Sequence, residues 1–250
     1  MMNKLVLSLR AERSGVEIHK HSAFQIVFTE DKPFQTTLEN KIYPDIFGFV
    51  IKPQVSHSCK CDNSSLIIHN FEPYSLLGKL IAAKLGNSNT LIFNDKDSFQ
   101  TFSNDLENRF SFSNKNQDFN GIDKRVQQSI EYINKNFKSG NVSSQHIAKQ
   151  VFLSPSRLSA LFKDQIGCSI SKYLLWTRLR YAIFLILTDD DNTLTSIALE
   201  SGFYDSSQMT KYMYQMFGIS PSKLKQKSEL IQFLNLESYL FLHPYFTKTK

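Results

Sequence analysis

One pattern of helix, tight turn and second helix is written twice in the C-terminal half of this chain, and it constrains the fold more than any other feature. The first copy runs Ser143, Ile147, Ala148, Val151, Leu153, Leu158, Leu161, Phe162, Gly167 and Ser169. The second runs Thr193, Ile197, Ala198, Ser201, Phe203, Met209, Tyr212, Met213, Gly218 and Ser220. The offset is 50 residues before the turn and 51 after it, so the second turn carries one extra residue. Paired helix-turn-helix units repeating in register point to a protein that reads DNA.

Charge follows the repeat. The chain has 250 residues and a net charge of +6. Through Asn120 there are 13 Lys and Arg against 13 Asp and Glu; from Gly121 onward there are 16 against 10. The whole positive excess therefore lies in the half that carries the repeat, as phosphate contact requires. At 41% hydrophobic and 21% charged the chain is predicted to bury one large core or two ordinary ones rather than stay disordered. The apolar run at Met1–Arg10 is too weak for a secretory signal, and no stretch reaches membrane-span length. Three cysteines, Cys59, Cys61 and Cys168, are a sparse, odd set. Together these predict a cytoplasmic protein with no membrane partner.

Period changes divide the chain. The runs Phe24–Thr29, Ile46–Ile51 and Ser65–Ile68 are β-branched and aromatic, with Pro33, Pro44 and Pro53 between them, and predict a small sandwich or barrel. Leu76, Leu77, Leu80, Ile81 and Leu85 then take helical spacing, with Gly86 as a stop. The polar stretch Ser111–Asp118 reads as a linker. Beyond it Val126, Ile130, Ile133 and Phe137 mark an opening amphipathic helix ending near Gly140. Ser143 and Ser154 stand as N-caps, with Pro155 in the first helical position, where its missing N–H costs nothing. An apolar helix from Ile170 to Leu187 joins the units; its length, about 27 Å at 1.5 Å per residue, is near one DNA turn of roughly 34 Å. The fold class expected is α+β, in four parts: a β-rich domain over 1–95, a helix and linker over 96–120, a double helix-turn-helix domain over 121–227, and a helical tail over 228–250. In that tail Leu230, Ile231, Phe233, Leu234, Leu236, Tyr239, Leu240 and Phe241 form an apolar surface that packs on the domain or a second subunit.

These residues resemble a known family. Asp123–Val126, Ile147–Ala148, Leu153–Leu158, Leu161–Lys163, Gly167, Tyr173–Leu174, Arg178–Arg180 and Ala182 look like the first half of an AraC/XylS-type DNA-binding domain. Ile197–Ala198, Gly202–Phe203, Asp205, Ser207, Lys211, Phe217–Gly218 and Ser220–Pro221 look like its second half. The resemblance covers about Gly121 to Lys227 and implies a bacterial-type transcription regulator bound to double-stranded DNA. The base-facing positions it implies are Ser156, Ser159 and Ala160 in unit one, with Arg157 and Lys163 on phosphate. In unit two they are Ser206, Ser207, Gln208, Thr210 and Lys211. Small residues in unit one lack the bidentate guanine contact open to arginine, whereas Gln208 matches adenine and Lys211 matches guanine or phosphate, so unit two is expected to carry specificity. Where the family usually has two phenylalanines and a basic pair, this chain has Met209, Met213, Tyr214 and Gln215. Methionine fills the same volume, but the lost charges remove phosphate contacts.

The N-terminal part resembles the small cupin-like barrel that often precedes such a domain, through His19-Lys20-His21, Gln25-Ile26-Val27 and Pro53-Gln54-Val55-Ser56-His57. That resemblance implies an interior pocket for a small-molecule effector and a homodimer. No cofactor is expected. His57, Cys59 and Cys61 alternate, so one strand face could offer imidazole and thiolate to zinc or copper, with His19, His21 and His69 nearby; the competing reading is two small apolar cysteines facing a core. Two alternatives to the regulator stand beside it: a metal-binding cupin-type enzyme or sensor, and a regulator acting by partner binding. An enzyme is not expected, because there is no His-x-His with a following Glu and no activating motif around Cys59 and Cys61.

Overall fold

A computed structural model describes residues 6–13, 15–112, 119 and 121–233 of the chain. The expected linker lies, from 113 to 118, outside the described residues, as do Leu234, Leu236, Tyr239, Leu240 and Phe241. The N-terminal part is richer in strands than its three apolar runs predict. In chain order they are β1 (Val6–Glu12), β2 (Gly15–His19), β3 (Phe24–Phe28), β4 (Phe34–Leu38), β5 (Lys41–Ile46), β6 (Gly48–Ile51), β7 (His57–Lys60) and β8 (Ser65–Phe71). Helix α1 (Leu76–Leu85), strand β9 (Thr90–Phe93) and helix α2 (Lys96–Phe112) follow. Ser75 caps α1 by accepting from the Gly78 N–H, and Gly86 ends it with φ of 53°.

Two antiparallel sheets result. One has the order β10-β1-β8-β3-β6-β9, where β10 is Ile231–Phe233 from the far end of the chain; the other runs β2-β7-β4-β5. They face each other without closing into a continuous barrel, so the N-terminal part is an open two-sheet sandwich. Val27, Phe49, Ile51 and Leu66 of the large sheet share one core with Phe34, Leu38, Ile46 and Cys59 of the small one. The outer face of the large sheet, with Phe24, Ile26, Phe28, Val50 and Ile67, is covered by Leu77, Ile81, Phe99, Phe102 and Leu106 of α1 and α2. Because both faces are buried, the central strands read as continuous apolar runs, whereas β2 and β5 are mostly exposed and gave little signal. Pro44 sits in β5, an edge strand, where a missing ladder donor is tolerated.

The C-terminal half is helical: α3 (Lys124–Asn136), α4 (Ser144–Gln150), α5 (Pro155–Ile166), α6 (Ile170–Thr188), α7 (Leu194–Glu200), α8 (Ser206–Phe217) and α9 (Pro221–Gln226). Cap chemistry sets the boundaries, since Ser143, Ser154, Ser169, Thr193, Asp205 and Ser220 each accept a hydrogen bond from a backbone N–H in the first turn of their helix. Helix α6 is apolar on nearly every side because it is shared. Tyr173 and Leu174 belong to the core of unit one, and Trp176, Leu179, Ala182, Ile183 and Ile186 to that of unit two. The helical tail expected from 228 is a correction over its described part. Residues 228–230 make one 3-10 turn, and Ile231–Phe233 pair with Ala11, Arg10 and Leu9 as a sixth strand of the large sheet.

The two halves meet around a buried ion pair. Glu72, just after β8, accepts from Trp176 Nε1 at 2.7 Å and from Arg180 Nη1 at 3.1 Å. All three residues are at most 3% exposed. Burial pushes the Glu72 carboxyl above its ordinary value, and the guanidinium and the indole N–H oppose that push. Alongside, the hydroxyls of Tyr74 and Tyr173 lie 2.9 Å apart. Truncation of Glu72 strands a guanidinium in the interface. Glu72→Ala is therefore expected to destabilise the protein by about 3–5 kcal/mol, and Glu72→Leu with Arg180→Met by far less. Urea unfolding of the two variants measures the difference.

Candidate nucleic-acid interface

Each unit is a short helix (α4 or α7) that positions a longer second helix (α5 or α8). In α5, Leu158, Phe162 and Ile166 recur at i, i+4 and i+8 and are buried, which turns the other side outward. Ser156, Arg157, Ser159, Ala160 and Lys163 are all exposed there. In α8, Met209, Met213, Met216 and Phe217 are buried, so methionine does fill the core positions. Ser207, Thr210 and Lys211 are exposed, with Ser206 and Gln208 half-buried. The ten expected contact residues thus lie on or beside the outer faces of the two second helices.

Local hydrogen bonds differentiate them. Asp205 accepts from the Gln208 N–H at 2.7 Å, while Gln208 Oε1 accepts from the Tyr204 N–H at 3.0 Å, a reciprocal cap across the turn. That use of its carbonyl holds Gln208 toward the turn and leaves its NH2 group as the end able to meet a base. The Thr210 hydroxyl donates to the Ser206 carbonyl at 2.7 Å, and Ser156 Oγ sits 3.5 Å from Ser154 Oγ. Arg157, Lys163 and Lys211 are exposed cations on the same faces.

The extra residue of the second turn is Tyr204, which stands between Phe203 and the Asp205 cap where unit one runs directly from Leu153 to the Ser154 cap. Phe152 and Gly202 occupy equivalent places, both with positive φ, of 55° and 84°. A side chain is allowed at 152, where Phe152 stands 95% exposed. It is not allowed at 202, where a Cβ would come 2.5 Å from the Phe137 carbonyl. The glycines that close the two second helices differ likewise. Gly167 faces open space, but a Cβ on Gly218 would lie 2.2 Å from the carbonyl oxygen of Glu17. The Glu17 N–H donates to the Gly218 carbonyl at 2.9 Å, so the C-terminal end of α8 is clamped on β2 while its first turns face outward. No sequence signal distinguished Gly218 from Gly167, since both end a helix by the same rule.

The metal candidates of the sequence are rearranged. His57 and Cys59 share a face, but Cys59 Sγ lies 3.9 Å from the Thr36 hydroxyl and burial pushes its thiol up to about 12. Cys61 donates to the Ser64 carbonyl at 2.8 Å, and its thiol is also raised by burial. Thiolate ligation is thereby disfavoured, because the thiolate is the form that binds metal. His57 instead joins His19 and His21, one ring nitrogen of each lying within 4.8 Å of the others. His69 is on the opposite face of the large sheet, hydrogen-bonded to Ser8 Oγ at 2.8 Å, and stays apart from them. Desolvation lowers His19 to about 4 and both His21 and His69 to about 3, with His57 well below its ordinary value.

Between the sheets and unit two lies a mainly apolar cavity, lined by Leu9, Val27, Ile68, Ile183, Phe217 and Leu224 among others, with Gln25, Asn70, His19 and His57 as its polar members. Gln25 donates through Nε2 to Asn70 Oδ1 at 3.1 Å, leaving its own Oε1 buried with no partner.

Two predictions follow from these contacts. Gly218→Ala is expected to lower the melting temperature markedly where Gly167→Ala, strained only by its φ of 79°, lowers it less; differential scanning fluorimetry compares them. The histidines set the acid limit. Their folded pKa values are depressed, so the unfolded chain binds more protons below about 6.5 and stability, full above that pH, drains as pH falls toward 4. The slope is up to about 1.4 kcal/mol per pH unit per histidine, measured by denaturation at stepped pH, and His69→Phe removes one share.

Known proteins align with this half. The helix-turn-helix domain family model matches residues 147–227. The arabinose operon regulatory protein of Escherichia coli is 30% identical over 108 residues, 43% of this chain and 37% of that protein. The transcriptional activator RhaR of Pectobacterium carotovorum is 38% identical over 89 residues, 36% of this chain and 29% of its own length. The chain therefore spans only 29–37% of the length of these two curated relatives. In overall fold it is similar to ToxT of Vibrio cholerae, solved with a bound unsaturated fatty acid, at a TM-score of 0.56 and 13% identity over 91% of this chain and 97% of that one. The relatives named are regulators of transcription, which points away from an enzyme. With two units in register, capped alike, and with these matches, residues 147–227 carry a helix-turn-helix domain similar to those of the arabinose and rhamnose operon regulators.

Proposed function

We propose that this chain is a sequence-specific regulator of transcription that binds double-stranded DNA through both helix-turn-helix units. The observation that carries this reading is the outward presentation of α5 and α8 on one shared helix. Helix α6 has 19 residues; at a rise of about 1.5 Å it spans roughly 28 Å, near the pitch of B-DNA at roughly 34 Å, which suits two successive major-groove segments. Unit two carries the specificity, with the Gln208 amide NH2 and Lys211 facing bases, while Arg157 and Lys163 position unit one on phosphates.

The sandwich supports an effector role. The fatty acid is the ligand of ToxT; in this chain the lining favours a small, mostly apolar molecule whose one hydrogen-bond donor meets Gln25 Oε1. Because Phe217 and Leu224 of unit two help to line the cavity, its filling bears on the pose of α8. A homodimer in the cytoplasm completes the proposal, as the family resemblance implies; no described helix is long and apolar enough to cross a membrane. Sedimentation velocity checks the dimer.

The deciding experiment is fluorescence anisotropy on DNA from upstream of the protein's own gene against a scrambled duplex, across a salt series. Tighter binding to the upstream duplex, weakening with salt, is expected. Equal, weak binding to both would favour the reading in which the chain regulates through a protein partner. Lys163→Ala is expected to weaken binding to all sequences alike and to reduce the log–log salt slope by about 1, whereas Gln208→Ala should narrow the preference for upstream DNA.

A further inference from the structure

His19 and His57 stand directly opposite each other on β2 and β7, after a bulge in β2, and their ring centroids lie 4.1 Å apart. His21, just past β2, completes the group, with its centroid 5.0 Å from His57 and 5.8 Å from His19. All three are buried.

Their hydrogen bonds fix the tautomers. His19 Nδ1 lies 2.8 Å from the Glu17 carbonyl, His21 Nδ1 3.1 Å from that of Ala23, and His57 Nδ1 2.9 Å from that of Val55. A carbonyl only accepts, so each Nδ1 carries the proton and donates, and each Nε2 keeps its lone pair. His21 Nε2 and His57 Nε2 are buried without a partner. With His19 beside them, three imidazole lone pairs converge, and a single water has only two hydrogens to offer them. A cation satisfies all three. Backbone carbonyls holding the far side of each ring are the outer-shell arrangement that orients histidine toward a metal.

We propose that His19, His21 and His57 form a transition-metal site, binding a borderline divalent ion such as Zn2+ or Co2+ through their three Nε2 atoms. The ligand set is all imidazole, which suits zinc, cobalt, nickel or copper and is poor for magnesium or calcium. Zinc–nitrogen bonds of about 2.0–2.1 Å require the nitrogens to draw together from their present spread, a movement of ring torsions on two strands already paired. His19 and His57 also line the cavity, so a fourth coordination position opens on that side to water or a small anion.

The site would tie β2 to β7 next to the clamp on α8. His19 is two residues from Glu17, whose backbone holds Gly218, and the His21 ring lies 5.6 Å from Trp176 and 6.5 Å from Phe217. Metal occupancy and DNA binding are separate measurements, so the site stands or falls independently of the regulator reading.

The test uses the full chain, stripped with chelator and titrated with Co2+ at pH 8. One equivalent is expected to bind and to give the intense visible bands of four-coordinate cobalt, and Zn2+ at a hundredfold excess over Kd should raise Tm by roughly 5–10 °C. His57→Gln should abolish both signals, whereas the double variant Cys59→Ser, Cys61→Ser should keep them. X-ray absorption of the zinc-loaded wild type needs no variant to fold, and there three imidazoles with no sulfur in the first shell are expected. The proposal is overturned if the wild type binds no Co2+ or Zn2+, if sulfur appears in the shell, or if a folded His57→Gln protein binds as before.

Discussion

A carboxylate, a guanidinium and an indole, all withdrawn from water, hold the two halves of this molecule in one arrangement. Glu72 belongs to the sandwich, and Trp176 and Arg180 to the helix on which both helix-turn-helix units are built. Taking two opposite charges out of solvent is expensive, and their attraction repays it only when geometry and accompanying hydrogen bonds are good. The consequence is directional. Packing of apolar surface alone would tolerate sliding of α6 on the sheet, whereas a carboxylate satisfied by two donors on successive turns of one helix does not. The position of α6 in turn fixes α5 on one side and α8 on the other.

The two units are held unequally. Unit one packs mainly on α3, α6 and Tyr74, and the end of its second helix faces open space at Gly167. Unit two is gripped on several sides by the sandwich: β2 lies against Gly218, the cavity wall includes Phe217, Ile219 and Leu224, and Ile231 continues into the large sheet. Anything that alters the sandwich interior therefore reaches α8 first. Unit one can adjust with fewer contacts to break.

Much of the helical half was legible because its rules are local. Ser143, Ser154 and Pro155 announce their caps, Gly167 and Gly218 their helix ends, and the buried positions of α5 and α8 recur at helical spacing. The sandwich was legible only at its centre, where β3, β6 and β8 are buried on both faces. Strands β1, β2, β4, β5, β7 and β9 are short, half-exposed or paired at long range, and nothing in their own residues states their partners. The histidines show the same limit. The spacing of His57, Cys59 and Cys61 put them on one strand side, but a bulge in β2 and a backbone carbonyl for each ring decide which side chains actually meet. The residue type of Gln208 announces a two-sided hydrogen-bonding edge, and the turn takes part of that edge for its own cap.

Strand β10 gives the chain an order of assembly. Strand β1 precedes the helical half and pairs on one side with β8, while its other edge pairs, among the described residues, with 231–233. During synthesis that edge stays open until the whole helical half has left the ribosome. An unpaired edge is a template for pairing with another chain, so the nascent protein is most exposed to intermolecular association in this interval, and its sheet is completed by long-range closure rather than by local hairpins. The helical half is thus enclosed in sequence between two parts of a single sheet, and a chain truncated just after α9 would retain α3 to α9 while leaving that edge of β1 uncovered.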